Sequence, residues 1–151
     1  MTSWGDMVAA EQEFAGRVRR CFEVRKHCTM ATLRQDGSPR ISGIEVAFVD
    51  QDLWLGMMPG SVKARDVGRD PRLALHSPTQ DPPAEDPASW AGEAKIGGRA
   101  VEVTDGGSAD QGHRFRVDIT EVVYTRVGEG ADHLVVESWH PGRGLESVRR
   151  Q

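Results

Sequence analysis

Pro59-Gly60 is followed at once by Ser61, Lys63 and Arg65, in a stretch reading LWLGMMPGSVKARDVGR. A strand ends at the Pro-Gly break and a short helix restarts after it. Basic side chains are better placed at the other end of a helix, whose N-terminus already carries positive partial charge. An anion reverses that preference, because free backbone N–H groups and cations converge on it. The alternative is a solvated turn with incidental basic residues.

No other residue set points to an acid, a base or a nucleophile. Glu45 lies inside the apolar run ISGIEVAF and reads as an outward residue paired with an arginine, or else as a carboxylate near a ligand. Met57 and Met58 suit either core packing or a soft contact to a planar ring. His76 reads as structural; Trp139 and His140 end the last strand, as rim packing or as contacts to a partner's ligand. Cys21 and Cys28 form no CxxC, and His27, His76, His113, His133 and His140 make no spaced ligand set, so no metal is expected. Two reduced thiols fit the cytoplasm.

The 151 residues favour one domain, 1–151. A net charge of −4 argues against nucleic acid as the main partner. No apolar run approaches the roughly 20 residues that span a bilayer, and MTSWGDMVAAEQEFAG lacks the pattern of a signal peptide.

The elements that must position the basic turn are mostly strands. Residues 6–26 read as one helix, with Val8, Phe14, Val18, Cys21 and Phe22 near one stripe and Asp6 near its N-cap. CTMATLR and RISGIEVAFV, joined by DGSP, read as a hairpin over 28–49. LWLGMM is a third strand, 61–69 the short helix and RLALHS a fourth strand. PTQDPPAEDP reads as a mobile surface loop. EAKIGGRAVEVT resumes a strand, with a bulge expected at Gly97-Gly98. GGSADQG reads as a turn or one helical turn, HRFRVDITEVVYTRV and HLVVESW as strands, and PGRGLESVRRQ as a tail. Six or seven antiparallel strands hide their edges best by closing, which predicts a mainly β fold: a small barrel with an N-terminal helix and a short helix between strands three and four.

The succession of a helix, ATLRQDGSPRISGIEVAF, LWLGMMPGSVKAR and DPRLALHS resembles the FMN-binding split-barrel family related to pyridoxamine 5'-phosphate oxidase, over roughly residues 20–140. The resemblance implies a homodimer of antiparallel split barrels with FMN, or the deazaflavin coenzyme F-420, at the subunit interface. It implies that Ser61 and Lys63 hold the cofactor phosphate with Arg65 close by. It also implies that the strand carrying Arg40, Ser42 and Ile44, and the strand end at Met57-Met58, line the isoalloxazine ring; in such a dimer Trp139 either approaches the partner's cofactor or packs at the rim. The residue types agree: an ammonium suits phosphate, a hydroxyl donates a hydrogen bond, and Gly60 admits the backbone closely. Val62 stands where many relatives carry an arginine; either Arg65 or Arg40 substitutes for that phosphate contact, or binding is weaker. The substrate-binding arginine and histidine pattern of the vitamin-pathway oxidases is not evident; the tail offers Trp139, His140 and Arg143. The expected function is flavin-dependent hydride transfer to or from a small molecule. The alternative is a non-catalytic dimer that binds or sequesters the cofactor.

Overall fold

The computed structural model describes residues 1–104 and 111–151. The expected turn GGSADQG lies mostly outside the described residues. Among the described residues there are three α-helices, α1 (Trp4–Ala10), α2 (Gln12–Glu23) and α3 (Val62–Arg69). The strands are β1 (His27–Leu33), β2 (Pro39–Val49), β3 (Asp52–Met57), β4 (Arg72–His76), β5 (Glu93–Glu102), β6 (His113–Val127), β7 (Leu134–His140) and β8 (Gly144–Arg150).

All eight strands form one antiparallel sheet in the order β3-β2-β1-β4-β5-β6-β7-β8, and β3 also pairs with β6. That extra pairing, with Trp54 opposite Arg116 and Met57 opposite His113, closes the first six strands into a barrel. Closure removes the edges that β3 and β6 would otherwise expose. The fold is therefore the mainly β antiparallel split barrel expected, with α3 between β3 and β4. Sequence reading stopped one strand short: Gly144–Arg150, expected as a tail, pairs along the whole of β7. Its side chains are largely exposed, so it carries no core pattern to read.

The N-terminal helix is two helices, not one. Ser3, not Asp6, is the N-cap of α1; Ser3 Oγ accepts from the Asp6 N–H while the Asp6 carboxylate accepts from the Ser3 N–H. Glu11 then leaves the helical region at φ −143° and ψ 76°. The break lets Trp4 and Met7 turn into the core while α2 presents Phe14, Val18, Cys21 and Phe22. The α2 stripe packs on β5 and β6.

Alternation sorts each strand into an inward and an outward face. On β1, Cys28, Met30 and Thr32 point into the barrel. On β2, Ile44 is fully buried, whereas Ile41, Gly43, Glu45 and Ala47 lie on the outer surface. Leu53, Leu55, Leu75, Ile96, Val117 and Val122 complete the interior. The register shifts between Gly97 and Gly98, the bulge expected there. A side chain at Gly98 would run into the Asp118 carbonyl.

Candidate functional site

The chain turns from β3 into α3 through Pro59 and Gly60. Gly60 takes a left-handed φ of 68°, which its missing side chain permits. Its N–H donates to His113 Nε2 at 3.4 Å, and the Ser61 N–H donates to the Met58 carbonyl at 3.1 Å. Ser61 is the N-cap of α3: its hydroxyl accepts from the Ala64 N–H at 3.3 Å. The first N–H groups of any helix lack intrahelical acceptors, so the start of α3 is electropositive. Lys63 adds a full charge there. Its ammonium bends back to donate to the Gly43 carbonyl at 3.0 Å.

Lys63 stands at one wall of a cleft of about 650 Å³ on the outer surface of β2 and β3. Gly43 and Gly56 form part of its floor. A Cβ added at either glycine would meet nothing within 4 Å, so the floor is flat and open. Met57 and Met58 close the end nearest α3, the first buried and the second 78% exposed. Trp54 and Arg114 form another wall, with the guanidinium 4.5 Å from the indole centroid. A cation held against an aromatic face in this way is a pre-set surface for planar or anionic groups.

Glu45 and His27 line the same cleft. Glu45 does point outward, as expected, but its partners are not arginines. His27 Nε2 lies 3.2 Å and Lys26 Nζ 3.7 Å from its Oε1.

Behind the helix start sits a buried charge. Asp66, on the inner side of α3, is 2% exposed. Its Oδ2 accepts from Thr32 Oγ1 at 2.7 Å and from Arg40 Nε at 2.7 Å, and its Oδ1 accepts from an Arg69 guanidinium nitrogen at 3.0 Å. Burial raises the carboxyl pKa, yet the hydrogen bonds from Thr32, Arg40 and Arg69 outweigh it and the net shift is downward. The same Arg69 nitrogen also donates to the Leu33 carbonyl at 2.8 Å, tying the end of α3 to β1.

Several of the expected site residues come together. Ile44, Met57, Met58 and Lys63 border the cleft, Ile44 with its side chain turned into the barrel, and Ser61 caps the helix beside it. Arg65 is exposed on the first turn of α3. Arg40 and Ser42 share the inner face of β2 with Ile44, and Arg40 is engaged by Asp66. Trp139 is 5% exposed and packs in the core, opposite Val122 and Leu145, outside the cleft lining. Gly43, Gly56, Trp54 and Arg114 were missed. A glycine on the outer face of each of two paired strands was the available signal.

Comparison with known proteins agrees with the fold. A family model described as pyridoxamine 5'-phosphate oxidase matches residues 14–137. No curated protein matches the chain. Among solved structures, a pyridoxamine 5'-phosphate oxidase-related, FMN-binding protein from Nostoc punctiforme superposes with a TM-score of 0.66 at 10% identity, covering 93% of this chain and 96% of that one. PhzG from Burkholderia lata, solved with tetrahydrophenazine-1-carboxylic acid, gives 0.62 at 13% identity over 93% of this chain and 87% of its own. An F-420 reductase gives 0.52 at 14% identity, covering 70% and 94%. At these identities the likeness to the solved structures is one of fold.

Proposed function

Because the chain belongs to the pyridoxamine 5'-phosphate oxidase family, we propose that it is a flavin- or deazaflavin-dependent oxidoreductase. It binds FMN, or coenzyme F-420, in the cleft beside α3 and acts on a small molecule. The observation that carries this reading is Lys63 at the start of α3, at the edge of a cleft whose floor is open above Gly43 and Gly56.

The residues fit such a cofactor. Ser61, Lys63 and the first N–H groups of α3 supply the donors that a phosphate needs, with Arg65 on the same turn. The two glycines leave room for a flat ring to approach the sheet, and Met57 and Met58 offer soft contacts beside it. When bound, the ring system supplies hydride chemistry. The chain contributes orientation, charge and exclusion of water.

The fold presents a second outward feature next to the cleft. Ile41, Ala31, Ala74 and Thr29 line an apolar groove of about 430 Å³ on the outer face of β2, β1 and β4. Ile41 is 76% exposed and stands two residues from Gly43 on the same face of β2. A second copy seated on this groove would roof the cleft, so the proposed active form is a homodimer of single split-barrel domains with the cofactor between the subunits. No described helix is long and apolar enough to cross a membrane. Two buried, unpaired cysteines fit a cytoplasmic protein.

Titration of the purified protein with FMN and with F-420 tests the reading, followed by reduction of the loaded protein and addition of candidate acceptors. Saturable binding of one cofactor and electron transfer to a small organic acceptor support the oxidoreductase. Binding with electrons lost only to oxygen supports a sequestering protein. Binding of neither overturns both.

A further inference from the structure

We propose that Asp66 is the positioning residue of the phosphate-binding helix, acting through Lys63 and Ser61; this rests on the phosphate reading of that helix. Three observations support it. Asp66 is the buried charged residue of α3, and its carboxylate is shared by donors from two strands: Thr32 on β1 and Arg40 on β2. Arg69, one turn on, holds the other oxygen and also grips the Leu33 carbonyl. Lys63 reaches β2, the strand of Arg40, from the outside at Gly43.

Geometrically, α3 is pinned to the barrel at two points along β2. Arg40 lies beneath it on the inner face, and Gly43 lies at the cleft. Rotation or sliding of α3 would move both Ser61 and Lys63 relative to the floor glycines. A helix of eight residues has little packing area of its own to resist that movement; its buried residues are Ala64, Asp66 and Val67. The carboxylate supplies the constraint that apolar packing does not.

Asp66 has a second effect on the site. By pairing with Arg40, it holds that guanidinium on the inner face of β2, away from an anion in the cleft. Lys63, on the cleft wall with Arg65 on the same turn, supplies charge that discriminates a phosphorylated ligand from its dephosphorylated core. Asp66 thus sets selectivity for the phosphate without touching it.

The test compares each cofactor with its own phosphate-free core: FMN with riboflavin, or F-420 with its deazaflavin core, whichever pair the full-length protein binds. In Asp66→Asn, affinity for the phosphorylated form should fall about tenfold, as when one charge-assisted contact is weakened, while the core's affinity stays within about twofold. In a Lys63→Ala background, Asp66→Asn should produce no further loss, because the contact it positions is gone. Parallel loss for both ligands, or an undiminished loss without Lys63, would make Asp66 merely structural and overturn the proposal. A wild-type protein with no preference for the phosphorylated form would sink the phosphate site itself. Thr32→Val removes one donor to the same oxygen and retains both arginines, so it serves if Asp66→Asn does not fold. It should lower the selectivity in the same direction, and an unchanged ratio there overturns the inference equally.

Discussion

Lys63 donates from its ammonium to the Gly43 carbonyl at 3.0 Å, which joins the start of α3 to the floor of the cleft. A phosphate at the helix start would take this ammonium over with little rearrangement. Lys63→Ala should weaken the phosphorylated cofactor roughly ten- to hundredfold, the value of a charge-assisted contact. Folding should change little, since Lys63 opposes the helix dipole. Arg20→Ala, on the exposed side of α2, is the control. Fluorescence titration of both variants decides the matter, and unchanged affinity in Lys63→Ala returns the segment to a solvated turn.

Filling the floor should separate binding from folding. Gly56 has no atom within 4 Å of the position a Cβ would take. Gly56→Val should therefore be tolerated by β3, where a β-branched residue is favoured over glycine. The same isopropyl group would stand where a flat ring must lie. Thermal unfolding should be unchanged or slightly raised while cofactor affinity drops at least about tenfold, as for a steric block in a formed site. Retained affinity would place the ring elsewhere.

The positions of most strands along the chain were legible because inward residues largely alternate, as on β1 and β3, and the turn residues at Asp36-Gly37 and Pro59-Gly60 punctuate them. The basic helix start was legible because lysine is costly there without a reason. Arg40, expected at the cofactor, was less so. Its sequence neighbourhood shows an alternating strand, but which face looks outward depends on the register of β2 against β1, where Arg40 pairs with Thr32. The carboxylate that engages Arg40 is 26 positions away. Asp66 itself looked like any helix-surface acid, because a buried charge is recognised only once its donors are in place. The break at Glu11 was hidden for a similar reason: helical periodicity continues across it, and the turning of α1 is imposed by Trp4 packing on Phe48, with ring centroids 4.5 Å apart.

Acid should weaken the fold through Asp66. Its folded pKa is lowered, so its stabilisation is complete above the unfolded carboxylate value and is lost as pH falls through the lower folded one. The difference in unfolding free energy between wild type and Asp66→Asn should hold steady from about pH 5 to 7 and shrink below about pH 4. At neutral pH it should be about 3 kcal/mol, the low end for removing one partner of a buried pair, because Arg40 and Arg69 retain some solvent. Urea unfolding at several pH values measures it. A difference that persists undiminished to pH 2 would rule out Asp66 as the titrating group.

The thiols should be inert in the native state. Burial pushes Cys21 and Cys28 each up to about 11, so at pH 8 roughly one thiol in a thousand is ionised. Alkylation by iodoacetamide should proceed at the rate of unfolding, and mild denaturant should release both sulfurs together. Rapid labelling of either cysteine in buffer alone would contradict their placement against the core.

Ile41 offers the sharpest test of assembly. It is 76% exposed on a β-strand, beside Ala31 and Ala74, in a groove with almost no polar surface. An isolated barrel has no need of an isoleucine there, since the side chain contributes little to the interior. If the groove seats a second copy, Ile41→Asp introduces two like charges into a buried symmetric contact, where unpaired carboxylates are strongly disfavoured. Light scattering should give two chains for the wild type and one for the variant at micromolar concentration. The variant's circular dichroism and thermal transition should still report a folded barrel, though with the concentration dependence of the transition lost. Cofactor affinity should fall with the dimer, because the cleft at Gly43 would lose its roof. A wild-type mass of one chain would remove the dimer from the proposal, and an Ile41→Asp variant that remains dimeric would move the interface to another face.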